Sequence, residues 1–421
     1  MISTSELSAR RAKTFSSMED GSIAVLFSGV PKKLSSDAYY PFEVNRNFFY
    51  LTGIDEEGCA LLLINSEGLH REFLFIPPFD PAKEKWYGKR INIEEARELS
   101  GCRNVLFTTS LEARIDSALS GSFGDFGDIK KVYLDLEKEL KIGEDNTTEH
   151  YRASLLQAYQ GIDVFNIYPI LVKQRMVKSK QEVDEISQAI EFTRTGMMAV
   201  LAQLHPGVKE YELADIFLHA INDESAYQGP SFPPIVASGV HATTLHYPNP
   251  IGQVKQGDMV LLQLGARSNH YIADIARTVP ASGQFDELQA QIYKIVLGCS
   301  DAVAAFAKPG VTIAELNSLA SEYLAAEFLS AGLIAKKEDI RNYFFHSVSH
   351  HVGLDVHDPV DRTLPLEEGN VITDEPGFYL KDKGIGVRVK DILVITASGC
   401  RMLSSSIIRK TEEIEGFYRN R

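Results

Sequence analysis

The chain has 421 residues, 44% of them hydrophobic and 24% charged, an ordinary globular composition with length for two or three domains. Asp and Glu number 57 against 43 Lys and Arg, and the resulting net charge of −14 argues against general binding to a phosphate backbone. No apolar run reaches the roughly 18 residues that span a bilayer, the polar start MISTSELSARRAKTF does not read as a signal peptide, and four scattered cysteines (Cys59, Cys102, Cys299, Cys400) form no CxxC, so a cytoplasmic protein with reduced thiols is expected.

The first 170 or so residues alternate strand and helix signals. AVLF (24–27), ALLLI (60–64) and REFLFI (71–76) are apolar runs of strand length. INIEEARELSG (91–101) has helical spacing, an acidic first half and a stop glycine. NVLFT (104–108), a helix over 109–120 and KKVYLDL (130–136) continue the alternation, which predicts a three-layer α/β domain with a mixed, largely parallel sheet. GSFGDFGD (121–128) is Gly-rich but leads into no helix, and reads as a surface turn rather than a phosphate cradle.

A second regime begins near Met176, and the domains are expected to be 1–172 and 173–421. Val183, Ile186, Ile190, Met197, Val200 and Leu204 fall on one face of a long helix that ends at Pro206-Gly207, and 211–221 forms a second helix. Residues 259–281 read as two strands about a turn at Arg267-Ser268-Asn269. Helices over 285–306 and 314–333 follow, then strands at 370–380 and 386–396. Helices followed by strands, twice over, predict an α+β domain with helices packed outside a curved antiparallel sheet.

Polar residues that interrupt the apolar strands of this half carry the chemical information, because a buried charge must be paired or functional. LHYPNP carries His246. LLQLGARSNHYIADIARTVP carries Gln263 and, eleven residues on, Asp274. HSVSHHVGLDVHD holds His346, His350, His351, Asp355, His357 and Asp358; DEPGFYL holds Glu375 and Tyr379; GIGVRVKDILVIT holds Arg388, Lys390 and Asp391.

These strings, together with PSFPPIVASG and, in the first half, AYYPFEVNRNFFYLTGIDE and KEKWYGKRI, closely resemble the Xaa-Pro aminopeptidases and prolidases over nearly the whole chain. The resemblance implies a creatinase-type amino-terminal α/β domain followed by a catalytic domain of "pita-bread" fold. It further implies two divalent ions, Mn²⁺, Co²⁺ or Zn²⁺, held by two Asp, one His and two Glu, that activate a bridging water. On this chain the second Asp falls on Asp274, the His on His350 and the first Glu on Glu375. The first Asp falls on Gln263, and the second Glu on Lys390.

Gln263 keeps an amide oxygen that can serve as a weak neutral ligand. Lys390 replaces a bridging carboxylate by an ammonium with three donors and no lone pair. Two carboxylates and one lysine sum to −1, so one added dication makes the site electropositive, and repulsion of about 4 kcal/mol between unit charges at ~4 Å opposes it. Lys390 is therefore expected in the metals' place, paired with Asp274 and Glu375, with no dinuclear centre and no cofactor. Asp391 cannot substitute, since adjacent strand residues face opposite ways. The alternative cofactor is one divalent ion on Asp274, His350 and Glu375, if Lys390 swings away or loses its proton.

The resemblance matches His246, His346 and His357 to histidines that contact substrate or transition state, and Arg388 and Tyr379 to pocket residues. The plainer readings are a satisfied polar core for the histidines, pairing of Arg388 with Asp391 or Glu375, and a half-buried aromatic for Tyr379. His351 is expected to face elsewhere, and Trp86 to serve packing or subunit contact. Three functions stay open: a metal-free pocket for a small peptide or amino-acid-like ligand; a one-metal Xaa-Pro peptidase; and a metal-free, creatinase-like C–N hydrolase using His246 or His357 with Glu375. A homo-dimer or tetramer is expected, and neither a nucleic-acid nor a membrane partner.

Overall fold

The computed structural model describes residues 2–120, 126–137, 147–224 and 228–421. The chain divides into two compact units, Ile2–Gln174 and Arg175–Arg421. Of the Gly-rich segment 121–128, residues 121–125 lie outside the described residues.

The first unit is built on a six-stranded mixed sheet of β1 (Ser22–Phe27), β2 (Ala60–Ser66), β3 (Leu69–Ile76), β4 (Val105–Phe107), β5 (Lys131–Leu134) and β6 (Asp163–Asn166). Their order is β4-β3-β2-β1-β5-β6. Three of the five pairings are parallel; β1–β2 and β2–β3 are antiparallel. The hairpin between β2 and β3 turns on Glu67 (φ 54°) and Gly68 (φ 70°), a two-residue turn whose positive φ values match the twist of the strands. The helix read over 91–101 runs Ile93–Ser100, opened by an Asn92–Glu95 capping box and closed by Gly101 at φ 71°. Ile23, Val25, Leu62, Ile64, Phe75 and Val132 form the centre of this unit's apolar core.

In the second unit the long helix spans Lys180–Gln203, opened by a Ser179–Glu182 capping box; Ile186, Ile190, Met197 and Val200 are buried along it, with Leu204 just beyond its end. Val183 is only half-buried. Helices at Glu210–Glu224, Glu287–Phe306 and Ile313–Ser330 follow, the last ending three residues before the sequence pattern suggests.

The strands are β7 (Ile235–Ser238), β8 (Met259–Leu264), β9 (Arg267–Ser268), β10 (Tyr271–Ile272), β11 (Ile275–Pro280), β12 (Val371–Asp374), β13 (Gly377–Leu380), β14 (Ile385–Arg388), β15 (Asp391–Ile395) and β16 (Cys400–Met402). All pairings are antiparallel, in groups β11-β8-β7, β12-β15-β16, β13-β14 and β9-β10.

Three sequence readings need correction here. The turn in 259–281 lies at Asn269-His270, both at positive φ, one residue later than expected, and the stretch forms four strands, β8 to β11, rather than two. The runs 370–380 and 386–396 are each two strands rather than one. The first breaks at Glu375-Pro376, where proline has no N–H to continue a ladder. The second breaks at Val389-Lys390, where the Lys390 backbone leaves its own sheet and exchanges both hydrogen bonds with Ala276 of β11 (3.0 and 3.2 Å). Asp274 likewise sits in the gap between β10 and β11.

Two glycines permit the close approaches around these breaks. A Cβ on Gly265 would lie 2.0 Å from the Ala273 carbonyl oxygen, and one on Gly386 would lie 2.0 Å from that of Ala242. Gly386→Ala is therefore expected to destabilise the second unit by about 3 kcal/mol through backbone overpacking. Gly399→Ala, where a Cβ meets nothing within 4 Å, should stay within about 0.5 kcal/mol of the parent. Urea unfolding of the two variants checks this.

Candidate functional site

The strand breaks bring Asp274, Glu375 and Lys390 to one point, and the loop before β12 adds His350. Lys390, 1% exposed, directs its ammonium into this cluster. Its Nζ donates to Asp274 Oδ2, lies 3.1 Å from Glu375 Oε2 and 3.1 Å from His350 Nε2. The ammonium thus lies in contact with both carboxylates and with the imidazole. The Nδ1 hydrogen of His350 goes to the carbonyl of His351 (3.0 Å), so Nε2 is the atom turned inward, 3.2 Å from Glu375 Oε1 and 3.7 Å from Asp274 Oδ2. Thr373 fixes the edge: its hydroxyl donates to Glu375 Oε1 (3.2 Å) and accepts from the His350 backbone (3.0 Å). Burial alone would push the Glu375 carboxyl upward, but Lys390, His350 and Arg388 outweigh it and hold the group well below the usual carboxylate range.

Gln263, on β8, does not offer its oxygen to a cation site. Its Nε2 donates to Asp274 Oδ1 (2.9 Å), while its Oε1 accepts from Arg388 Nη1. In this structure the Gln263 oxygen expected as a weak neutral ligand is taken by a guanidinium. Arg388, 3% exposed, also donates through Nε to the Tyr379 hydroxyl (2.7 Å). Its direct hydrogen bonds are with Gln263 and Tyr379, not with Asp391 or Glu375. Tyr379 is 3% exposed rather than half-buried, and its hydroxyl donates to His346 Nε2 (2.8 Å). The Nδ1 of His346 donates to the Ser347 carbonyl (2.8 Å), which fixes the direction of the whole chain. One continuous network thus runs from Glu375 through Lys390, Asp274, Gln263, Arg388 and Tyr379 to His346.

The charges of this network close. Asp274 and Glu375 supply two negative charges, Lys390 and Arg388 two positive ones. A dication bound among the same groups would add +2 to a neutral cluster, and each pair of like unit charges at ~4 Å costs about 4 kcal/mol at an effective dielectric near 20. Among the described residues, no group of three or more His, Cys, Asp or Glu side chains is arranged to hold a metal ion.

The remaining candidates separate. His357 stacks flat on His350, ring centroids 4.1 Å apart, and is held down to about 4 by lost hydration first, then by His350 and Lys390. His346 is likewise held down to about 4, by burial and then by Arg388. Both rings are neutral near pH 7. His246 is exposed. His351 is buried, as expected facing away from the cluster, with its backbone paired to Ile372. Asp355 and Asp358 belong to a separate ion-paired group: Arg175 reaches both (2.6 and 2.7 Å), and Lys178 reaches Asp358 (2.9 Å). Trp86 is 84% exposed and so is not packed among the described residues.

Two supports were not read from the sequence. Arg277, fully buried on β11, donates to the Lys390 carbonyl (2.9 Å) and to Asp391 Oδ1 (2.7 Å). It thereby anchors the backbone of the lysine whose side chain reaches Asp274. A charge inside the apolar run IARTVP was the available signal, since a buried guanidinium needs an acid. Glu210, also fully buried, accepts from the Ser238 backbone and hydroxyl (2.7 Å each), the Gly252 backbone (2.7 Å) and His241 Nδ1 (2.9 Å). It clasps both ends of the segment that carries His246.

Known proteins agree with this architecture. Residues 184–397 match metallopeptidase family M24, and residues 7–123 match the amino-terminal domain of aminopeptidase P. The Xaa-Pro aminopeptidase of Haemophilus influenzae is 30% identical, the alignment covering 97% of this chain and 96% of that protein; the Escherichia coli enzyme is also 30% identical, with 98% and 97% covered. A Bacillus anthracis structure described as an aminopeptidase P superposes with a TM-score of 0.96 at 37% identity over 100% of this chain and 99% of that one. The E. coli aminopeptidase P solved with the inhibitor Pro-Leu gives 0.90 at 29%, with the same coverage. The chain belongs to the aminopeptidase P family within metallopeptidase family M24, and its fold is the amino-terminal α/β domain of that family followed by a pita-bread domain.

Two outcomes follow from the geometry. Lys390→Met leaves two buried carboxylates and a histidine without their shared cation, and should cost about 3–5 kcal/mol at pH 7 in urea unfolding. The loss should shrink as the pH is lowered and the carboxylates take up protons. In the parent, His346 resists protonation when folded but titrates near 6.5 when unfolded, so its contribution is complete above that pH and is lost as the pH falls toward 4. The full loss is on the order of 3 kcal/mol. Stability of His346→Gln measured between pH 7 and 4 should accordingly be flatter than that of the parent.

Proposed function

We propose that this chain is an aminopeptidase P-type pocket protein in which the Lys390 ammonium replaces the dinuclear metal centre, and that it binds a small peptide or amino-acid-like ligand without metal. The observation that carries this reading is the simultaneous contact of Lys390 with Asp274, Glu375 and His350. Each of these groups would otherwise face a divalent ion. Gln263 supports it, since its amide joins Asp274 to Arg388 and leaves no oxygen for a cation. In this reading His346, Tyr379, Arg388 and His357 form the pocket wall, and His246 reaches a ligand only from an exposed segment.

Proline-containing peptides are the first ligands to try, because the relatives are named Xaa-Pro aminopeptidases. The protein is taken as a cytoplasmic homo-dimer or tetramer. The strongly exposed Trp86, Tyr87 and Phe79 of the first unit are consistent with a subunit contact. No helix among the described residues is long and apolar enough to cross a membrane.

A second reading has its own observation. Asp274, His350 and Glu375 still converge on one point, and an E. coli relative has been solved Zn-substituted with product. A single divalent ion there would compete directly with Lys390. Mass-spectrometric metal content before and after soaking in Mn²⁺ and Zn²⁺ separates the two. The proposal expects less than about 0.1 equivalent and no metal-stimulated cleavage of Xaa-Pro peptides. One equivalent with chelator-sensitive cleavage establishes the second reading instead, and turnover indifferent to chelator would point to metal-free hydrolysis. Gln263→Asp combined with Lys390→Glu restores the full carboxylate set and should raise metal content toward two equivalents.

A further inference from the structure

The ion-paired group around Asp358 lies in the same loop as His350 and His357, and the backbone joins it to both. The His351 carbonyl accepts from the Asp358 backbone N–H (3.0 Å) and from His350 Nδ1 (3.0 Å). One oxygen thus holds the residue that closes the loop and the imidazole that faces Lys390. His357, directly before Asp358, lies flat on that imidazole. The first half of the loop is tied to neighbouring strands: the Val352 N–H donates to the Val371 carbonyl (3.1 Å), and the Gly353 carbonyl accepts from the Ile272 N–H (3.0 Å). The second half is fixed by the buried Asp358 carboxylate. Its Oδ1 accepts from Arg175 Nη2 (2.7 Å) and the Asp355 backbone (3.1 Å), and its Oδ2 from Lys178 Nζ (2.9 Å). A Cβ on Gly353 would lie 2.7 Å from that Oδ2, so the loop is folded tightly onto this group. Burial alone would raise the Asp358 carboxyl, but Arg175 and then Lys178 outweigh it and hold the group well below the usual carboxylate range. Lys178 is itself anchored, its backbone N–H donating to the Gly369 carbonyl (2.8 Å) just before β12.

From this we infer that Asp358, clamped by Arg175 and Lys178, is a positioning residue for the pocket: through the His351 carbonyl and the His357 stack it fixes the His350 ring with Nδ1 carrying a proton and Nε2 turned to Lys390 and Glu375. Which ring nitrogen faces a site is set by the hydrogen bond that the other one makes. Here that bond ends on a carbonyl whose second donor is the Asp358 N–H. A half-turn of the ring would put Cε1 where Nε2 stands, and the Lys390 ammonium would then lose its imidazole contact at 3.1 Å. The flat contact with His357, 4.1 Å between centroids, opposes that turn only while the residue after His357 is held in place. Breaking a buried pair on one side leaves the other charge uncompensated, so loss of the Asp358 charge drives Arg175 and Lys178 to seek water and opens the loop. The inference concerns the imidazole and not the occupant of the centre, and so goes beyond the metal-free reading without depending on it.

The test is nuclear magnetic resonance of the full chain labelled with ¹³C,¹⁵N-histidine, in chelator near neutral pH. Long-range ¹H–¹⁵N correlations report which ring nitrogens carry a proton, and His350→Gln and His357→Gln assign the two rings. In the parent, His350 is expected to show a protonated Nδ1, whatever the charge of the ring, and the His357 ring protons should be shifted upfield by the stacked neighbour. Asp358→Asn keeps the shape of the side chain but removes its charge. It should abolish the upfield shift and average the two His350 nitrogens. Glu72→Gln, which removes the acid paired with buried Arg11 in the first unit, is the control: it should lower stability in urea and leave both signatures unchanged. Lys178→Arg should retain the signatures and Lys178→Met should lose them, which keeps the comparison available if Asp358→Asn fails to fold. An unprotonated His350 Nδ1 in the parent overturns the inference. So do unchanged signatures in folded Asp358→Asn, or equal changes in Glu72→Gln, which would make the ion group merely structural.

Discussion

Two carboxylates with almost no exposure, Asp274 and Glu375, face each other across the centre of the second unit, and everything around them is arranged to neutralise that pair. Isolated buried anions are too costly to keep, so cations must be within contact. Here the counter-charges are covalent. Lys390 lies between the two acids, and Arg388 reaches Asp274 through the amide of Gln263. An internal cation of this kind is always present and cannot be chelated away. It is also less adaptable than an ion, because its position depends on the backbone that carries it.

That backbone is specified by interruption rather than by regular structure. Asp274, Glu375 and Lys390 each occupy a gap between two short strands, where the ladder stops and a side chain can be aimed independently of the pleat. The gaps are held open by particular residues: Pro376, which cannot donate, and Gly265, where a side chain would strike the Ala273 carbonyl. Arg277 then ties the Lys390 carbonyl to β11 and sequesters Asp391 on the opposite face. The neighbouring acid is thus removed from competition for Lys390, as the alternation of strand residues demands.

Much of this was legible from residue order. The capping residues Asn92 and Ser179, the stop at Gly101 and the apolar stripe of the long helix are local signals, and local signals survive folding. The resemblance of six ordered strings placed Asp274, His350, Glu375, Gln263 and Lys390 in one pocket. The orientation of Gln263 was not legible, because its oxygen is claimed by Arg388, 125 positions away and on a different sheet. Nor were the strand breaks read, although Pro376 and the charged residues inside VITDEPGFYL and GVRVKDILVI were the available signals. Asp355 and Asp358 sit in the same string as His350 and His357, yet they answer to Arg175 and Lys178, which lie more than 170 residues earlier.

On the proposed reading, glutamine at 263 and lysine at 390 behave as one change when the charges are counted. Suppose only position 390 were lysine and 263 kept the aspartate that the family resemblance implies. Three acids would then face two cations, leaving a buried charge of −1 beside Arg388. Glutamine at 263 removes that charge while keeping a donor for Asp274 and an acceptor for Arg388. Suppose instead that only position 263 changed. The remaining acids would still demand metal, and a neutral amide would occupy a ligand position. Only the pair gives a network that is neutral and continuous from Glu375 to His346, with Arg388 balancing the second acid through the amide of Gln263.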